Sequence, residues 1–145
     1  MTIFEKLRAG ASTTSAEETR ALGAELAALL PEDTTLALYG GLGVGKTTFV
    51  QGLARGFGIK ESVTSPTFTI FTPHRAPNPD RRNRAESGRT LIHLDAYRLD
   101  DWRQVETLML DDFLVSPWCL AVEWPENIAA WLPADALYLT LDIEA

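Results

Sequence analysis

The stretch from Leu38 to Val50, LYGGLGVGKTTFV, places four glycines in a short loop that ends in Lys46, Thr47 and Thr48. Residues 40–47 match the pattern G-x-x-x-x-G-K-T in full. Glycines let the backbone turn successive N–H groups inward around a phosphate, and the positive end of a following helix adds to the attraction. The stretch therefore predicts a phosphate-binding loop between a strand and a helix.

The residues of this loop have separate predicted roles. Lys46 is expected to bridge the β- and γ-phosphates of a nucleotide, and the Thr47 hydroxyl is expected to ligate Mg²⁺. The remaining predicted nucleotide contacts are Gly41, Leu42, Gly43, Val44, Gly45 and Thr48. ATP and Mg²⁺ are therefore the expected ligands, and the lack of a guanine-reading NKxD-type motif leans towards adenine.

The segments around the loop alternate between strand and helix patterns, which predicts an α/β sandwich with a mixed, mostly parallel central sheet and helices on both faces. Ser15 and Glu18 have the spacing of a capping box, which predicts a first helix that ends at Pro31. Predicted strands are Thr34–Tyr39, Thr67–Phe71, Thr90–Leu94, Trp118–Glu123 and Ala136–Ile143, and further helices are Lys46–Phe57, Trp102–Leu114 and Asn127–Leu132. One domain over residues 1–145 is expected, with a flexible arm at 1–14 and an arginine- and proline-rich loop at 72–90.

Two acidic residues at predicted strand ends are candidates for work on the bound phosphates. Asp95 closes LIHLD, where a carboxylate beside the loop can help hold Mg²⁺, although an aspartate in a turn can also serve as a cap. Glu123 closes CLAVE, where a carboxylate can orient or activate water. Trp124 follows and can either cover the nucleotide or fill the core, whereas His93 is interpreted as a packed residue.

Composition limits the classes of function that remain. The net charge of −7 argues against broad nucleic-acid binding, although the segment 72–90 has a local charge of +3. Hydrophobic residues make up 46 %, yet no apolar run approaches the length of a membrane helix. Cys119 is the single cysteine, which excludes an internal disulfide, and a cytoplasmic location is expected.

Four motifs in order resemble the TsaE family, the small P-loop ATPases of bacterial tRNA threonylcarbamoyladenosine synthesis. The motifs are GGLGVGKTTF, SVTSPTFTI, HLDAYRL and VEWPE. The resemblance implies that Lys46, Asp95 and Glu123 are catalytic and that Thr47 and Asp95 hold Mg²⁺. It further implies that Trp124 lines the nucleotide site and that Thr64, Ser65, Pro66 and Thr67 form a switch-like loop near the γ-phosphate.

The same resemblance implies a partner-dependent activity. Family members are expected to hydrolyse ATP weakly in isolation and to act on a threonylcarbamoyl-transferase complex. Contact with tRNA is then expected to be indirect, through that complex. Gly41 departs from the family pattern, in which this position is commonly acidic. Two alternatives stay open: a small-molecule or nucleoside kinase, and a nucleotide-dependent interaction module that does not need hydrolysis.

Overall fold

The computed structural model describes residues 2–64, 70–77 and 88–143. The helices are α1 (Ile3–Ala9), α2 (Ala16–Leu29), α3 (Lys46–Gly56) and α4 (Arg103–Glu106), with 3₁₀ turns at Leu110–Asp112 and Pro125–Trp131. The strands are β1 (Thr34–Tyr39), β2 (Phe71–Arg75), β3 (Thr90–Asp95), β4 (Trp118–Glu123) and β5 (Leu137–Thr140). In the described ranges, no helix is long and apolar enough to cross a membrane.

The five strands form one mixed sheet in the order β2-β3-β4-β1-β5. The pairs β3–β4, β4–β1 and β1–β5 are parallel, and only β2 runs antiparallel to its neighbour β3. Strands β1, β3 and β4 are buried along nearly their whole length, as expected for parallel strands that are covered on both faces. The predicted α/β fold class is therefore confirmed.

A separate apolar cluster covers each face of the sheet. On one face, helices α2 and α3 contribute Leu26, Phe49 and Leu53 to a cluster that also contains Cys119. On the other face, residues of β3 and β4 pack against Val105, Leu110 and Ile128. Helix α3, which follows the phosphate-binding loop, is thus held from below by the sheet and from the side by α2.

The predicted start of α2 is confirmed, but the predicted flexible arm at 1–14 is wrong over part of its length. The hydroxyl of Ser15 accepts a hydrogen bond from the Glu18 N–H and caps α2 as expected. Residues 3–9 form helix α1, and the Ile3 side chain is buried against the same cluster as α2. Sequence periodicity missed this helix because seven residues are too few for a long amphipathic pattern, although the Thr2 hydroxyl caps it by accepting a hydrogen bond from the Glu5 N–H.

The predicted loop at 72–90 is wrong over its first residues, whereas the predicted start of a strand at Thr90 is confirmed. Residues 71–75 form strand β2, which pairs in register from Phe71 with Leu94 to Arg75 with Thr90. Pro73 lies in this strand because β2 is at the edge of the sheet, where a residue without an N–H is tolerated. The predicted strand Thr67–Phe71 lies outside the described residues except for its last two positions, of which only Phe71 belongs to a strand.

The predicted helix Trp102–Leu114 is also wrong, because α4 ends at Glu106. Met109 adopts a left-handed conformation with φ of 54°, which interrupts the helix before the 3₁₀ turn at Leu110. Val105 and Leu110 point into the core, whereas Met109 is mostly exposed. The apolar spacing in this segment therefore does not mark a single helix face.

Candidate functional site

The ends of three parallel strands bring the predicted acidic residues to one edge of the sheet. In the register of β3 and β4, Asp95 lies opposite Glu123, and Glu123 in turn lies opposite Leu38 of β1. Because β4 lies between β1 and β3, Glu123 is on the strand next to the phosphate-binding loop. Asp95 is one strand further away from the loop.

The loop that leaves β1 has the backbone conformation that its glycines predict. Gly43 and Gly45 have φ of 75° and 101°, in the region that favours glycine, and Gly45 directly precedes helix α3. The 11 residues of α3 begin at Lys46, so the unpaired N–H groups of its first turn face the loop. This geometry is that of an anion site at a helix N-terminus.

The Lys46 side chain is 5 % exposed and folds back over the loop. Its ammonium donates a hydrogen bond of 2.7 Å to the carbonyl oxygen of Gly40. The same ammonium lies 3.8 Å from the ring centroid of Trp124, close enough for a cation–π contact. Trp124 itself has a left-handed backbone (φ of 57°) that turns the chain out of β4 towards the loop.

Glu123 is buried and accepts two hydrogen bonds on the same carboxylate oxygen, Oε2. The Thr47 hydroxyl donates one at 3.0 Å, and Nε2 of His93 lies 2.5 Å away. Burial alone would raise the pKa of Glu123, but the bond and charge of His93, the bond from Thr47 and the charge of Lys46 together lower it. Glu123 is therefore a carboxylate at neutral pH.

Asp95 both caps a turn and lines the same cavity. Its Oδ1 accepts a hydrogen bond of 2.9 Å from the backbone N–H of Tyr97, so the turn role that the sequence left open is present. The side chain also faces the space next to Thr47 and Glu123. Tyr97 contacts Trp124, with ring centroids 5.0 Å apart, and extends the aromatic wall of this space.

These residues enclose a cavity of about 380 Å³ above the N-terminus of α3. It brings together nine lining residues that the sequence singles out, namely Leu42, Gly43, Gly45, Lys46, Thr47, Thr48, Asp95, Glu123 and Trp124. Tyr97 is the one lining residue that sequence reasoning missed, although it stands inside the quoted HLDAYRL motif. Gly41 and Val44 are predicted contacts that do not line this cavity.

A second cavity of about 650 Å³ lies on the other side of the loop. Val44 lines it, together with Phe49 of α3 and Leu141 beyond β5. Residues 10–14, which precede α2, contribute the hydroxyls of Ser12, Thr13 and Thr14. Apolar walls with several hydroxyl groups suit a flat, partly polar molecule such as a nucleoside.

The predicted switch-like loop is described only at its first residue. Thr64 is exposed and lines a shallow cavity with Arg20 and Gln51. Gln51 donates a hydrogen bond of 2.9 Å to the carbonyl oxygen of Val63, which fixes the chain just before Thr64. Ser65, Pro66 and Thr67 lie outside the described residues.

Comparison with known proteins places the chain in one family. The family model for the threonylcarbamoyl adenosine biosynthesis protein TsaE matches residues 13–145. The chain belongs to the TsaE family. The matched range contains the phosphate-binding loop and every residue that lines the cavity above α3.

Individual relatives agree with this TsaE assignment. The protein named tRNA threonylcarbamoyladenosine biosynthesis protein TsaE from Treponema pallidum is 34 % identical, over 90 % of this chain and 89 % of the relative. The protein of that name from Streptomyces coelicolor is 40 % identical, over 85 % of this chain and 78 % of the relative. The crystal structure of YdiB from Bacillus subtilis is similar with a TM-score of 0.65 and 33 % identity, over 88 % of this chain and 72 % of that chain.

Proposed function

We propose that this TsaE family protein binds ATP with Mg²⁺ and hydrolyses it in support of threonylcarbamoyladenosine modification of tRNA. The observation that carries the proposal is the convergence of Lys46, Thr47 and Glu123 on one cavity at the N-terminus of α3. A lysine, a hydroxyl and a buried carboxylate around a phosphate-binding loop are the groups that ATP hydrolysis requires. The names of the relatives supply the biological setting.

The donor set of the cavity suits Mg²⁺. Thr47 offers a hydroxyl oxygen, and Asp95 lines the same cavity with a carboxylate. Mg²⁺ prefers oxygen ligands and is commonly held by one or two protein groups together with substrate phosphates and water. An all-protein metal site is a different case: among the described residues, no three or more His, Cys, Asp or Glu side chains are grouped so that they could hold a metal ion by themselves. When bound, Mg²⁺ would neutralise charge on the phosphate oxygens.

Glu123 acts in this proposal by orienting water rather than by removing a proton in the ground state. Its carboxylate is buried, and its lowered pKa makes it a weak base. A carboxylate that is fixed beside the phosphates can still hold an attacking water by accepting its hydrogen bond. Lys46 would meanwhile exchange its contact with the Gly40 carbonyl for phosphate oxygens.

The cavity beside Val44 is the proposed place for the nucleoside. It adjoins the loop on the side away from Glu123, and its walls combine Phe49 and Leu141 with hydroxyl groups of residues 12–14. Stacking and apolar contact with a base need such walls, whereas the phosphates need the N–H groups of the loop. This division accounts for Val44, which lies in the loop but faces the second cavity.

The proposal also assigns partners. ATP turnover would act on a multi-subunit threonylcarbamoyl-transferase complex, and tRNA would be met through that complex. The overall charge of −7 supports indirect rather than direct contact with tRNA. The test is a phosphate-release assay on the protein alone and with the transferase subunits of the same organism. Stimulated release supports the proposal, and the absence of both stimulation and co-purification contradicts it.

Matched variants connect this assay to the cavity. Glu123→Ala is expected to retain binding of a fluorescent ADP analogue but to lose about a hundredfold or more in phosphate release, the lower end of the usual range for such catalytic effects. Glu106→Ala is the control, because Glu106 is an exposed glutamate on α4. Phosphorylated nucleoside as the main product from candidate acceptors would instead establish a kinase. A pathway that works with Glu123→Ala would establish a module that does not need hydrolysis.

A further inference from the structure

His93 is a buried polar residue near the carboxyl end of β3, where the residues on either side of it, Ile92 and Leu94, are apolar. Its side chain is 0 % exposed, between Leu91 and Asp95 on the same face of β3. Burial of an imidazole destabilises the fold unless its ring nitrogens find partners. The single partner among the described residues is Glu123, on the neighbouring strand β4.

The geometry of this pair fixes which ring nitrogen carries the proton. Nε2 of His93 lies 2.5 Å from Oε2 of Glu123, and a carboxylate can only accept a hydrogen bond. Nε2 is therefore the donor. Nδ1 is buried and has no hydrogen-bond partner among the residues that the structure describes, so the bond from Nε2 to Glu123 is the polar contact that orients the ring.

Two donors from different elements therefore meet on one oxygen of Glu123. His93 donates from the sheet, and Thr47 donates from the first turn of α3. Both hydrogen bonds are made to Oε2, so Oε1 is the oxygen that can accept a hydrogen bond from water in the cavity. A glutamate side chain has three rotatable bonds, and two fixed donors at its end remove most of that freedom.

We propose that His93 is a positioning residue, which holds the Glu123 carboxylate in the orientation that serves hydrolysis. The proposal rests on the proposed function of Glu123. The oxygen of the Thr47 hydroxyl is also assigned to Mg²⁺, so the position of this donor would depend on the metal as well as on Glu123. His93 is the donor that remains on Glu123 whatever the hydroxyl of Thr47 contacts.

The first test does not use activity. The chain has two histidines, so ¹⁵N spectra of histidine-labelled protein contain only the rings of His74 and His93. The His93 ring is expected to carry a proton on Nε2, and Glu123→Ala is expected to change its ring shifts. His74, which pairs with Glu61 through Nδ1, is the internal control that should not move. A His93 ring in the Nδ1–H form, or one unaffected by Glu123→Ala, overturns the proposal.

The second test separates positioning from packing. His93→Leu fills the core without a donor, whereas His93→Gln keeps an N–H at similar reach. His93→Leu is expected to lower kcat about tenfold with the Kd of the ADP analogue unchanged, and His93→Gln is expected to recover most of kcat. In a Glu123→Ala background, His93→Leu is expected to change kcat no further. Equal loss in both His93 variants, or an additive loss in that background, overturns the proposal.

The two tests distinguish failure of this proposal from failure of the proposed function. A wild-type protein that releases no phosphate, alone or with its partners, removes the proposed function, and the spectra still report whether His93 holds Glu123. A wild-type protein that hydrolyses ATP and loses nothing in His93→Leu removes only the role of His93. If His93→Leu does not fold, the kcat of His93→Gln and the ring spectra of the wild type still test whether His93 positions Glu123.

Discussion

The glycines of the phosphate-binding loop and the glycines between helices α2 and α3 lie in opposite surroundings. Gly45 in the loop has a left-handed φ of 101°, and no described atom lies within 4 Å of where its Cβ would be. Gly52 in α3 has helical geometry, but a Cβ there would lie 2.2 Å from the carbonyl oxygen of Arg20. The loop needs glycine for its backbone conformation, and the helices need glycine for their close approach.

Helix α3 therefore has two tasks: its first turn forms part of the site, and its glycines allow close packing on α2. Its first turn presents Lys46 and Thr47 to the cavity, and its glycines let it pack directly on α2. Gly23 of α2 completes this contact, because its Cβ would lie 2.5 Å from the carbonyl oxygen of Phe49. Substitutions in the two groups should therefore separate stability from ligand binding.

The largest effect is expected for Gly52→Ala. The added methyl group cannot fit beside the Arg20 carbonyl, which is backbone, so the two helices must move apart. The free energy of unfolding is expected to fall by about 3 kcal/mol, even though alanine is the better helix former. Guanidinium denaturation measures this change, with Gly41→Ala as the control. A loss no larger than that of the control would mean that the helix contact is not close.

A smaller effect of a different kind is expected for Gly45→Ala. An alanine at this φ is strained by about 2 kcal/mol, and the loop can relieve the strain by leaving its phosphate-binding conformation. The Kd of the fluorescent ADP analogue is expected to rise about 30-fold, the equivalent of that energy. Titration measures the Kd, and denaturation should show a smaller loss than for Gly52→Ala. Unchanged affinity would contradict the role of this loop conformation.

The sequence predicted the loop and its flanking elements because their signals are local. The G-x-x-x-x-G-K-T pattern, the strand Thr34–Tyr39 and the cap at Ser15 all depend on neighbouring residues, and each agrees with the structure. Sequence reasoning missed α1, whose Thr2 cap is local but whose Ile3 is buried against distant residues, and it missed β2, where Pro73 is tolerated because the strand lies at the edge of the sheet. Contacts with residues far away in the sequence stabilise these two elements.

In the candidate site, too, the sequence predicted the features that depend on neighbouring residues and missed those that depend on long-range contacts. Strand ends located Asp95 and Glu123 correctly, because parallel strands end at one edge of the sheet. The order β3-β4-β1 was not visible in the sequence, and this order places Glu123 on the strand beside the loop, within hydrogen-bond distance of Thr47. For the same reason His93 looked like a packed residue, since its partner is 30 residues away in the chain.

A weaker effect on the helix contact is expected for Gly56→Ala, at the end of α3. Its Cβ would lie 2.6 Å from the Cβ of Ala27 and 2.7 Å from the carbonyl oxygen of Ala24, both farther than the 2.2 Å at Gly52, and Gly56 is the last residue of the helix. Cys119 reports on the core beneath these helices, because it is fully buried and burial raises its pKa to about 12. The rate of thiol labelling in native buffer is expected to rise about tenfold, which corresponds to about 1.4 kcal/mol. Gly45→Ala should leave this labelling rate nearer that of the wild type. Faster labelling in Gly45→Ala than in Gly56→Ala would contradict the distinction between loop glycines and helix-packing glycines.

The smallest effect is expected for Gly41→Ala, which tests whether every loop glycine is needed. Gly41 does not have a left-handed φ, and in the described part of the chain no atom lies within 4 Å of its Cβ position. The residue also does not line the cavity above α3. The free energy of unfolding is therefore expected to stay within about 0.5 kcal/mol of the wild type, and the Kd of the ADP analogue within about twofold, the usual size of surface effects. A large rise in the Kd would contradict this contrast with Gly45, because it would mean that the Gly41 backbone changes conformation when phosphate binds.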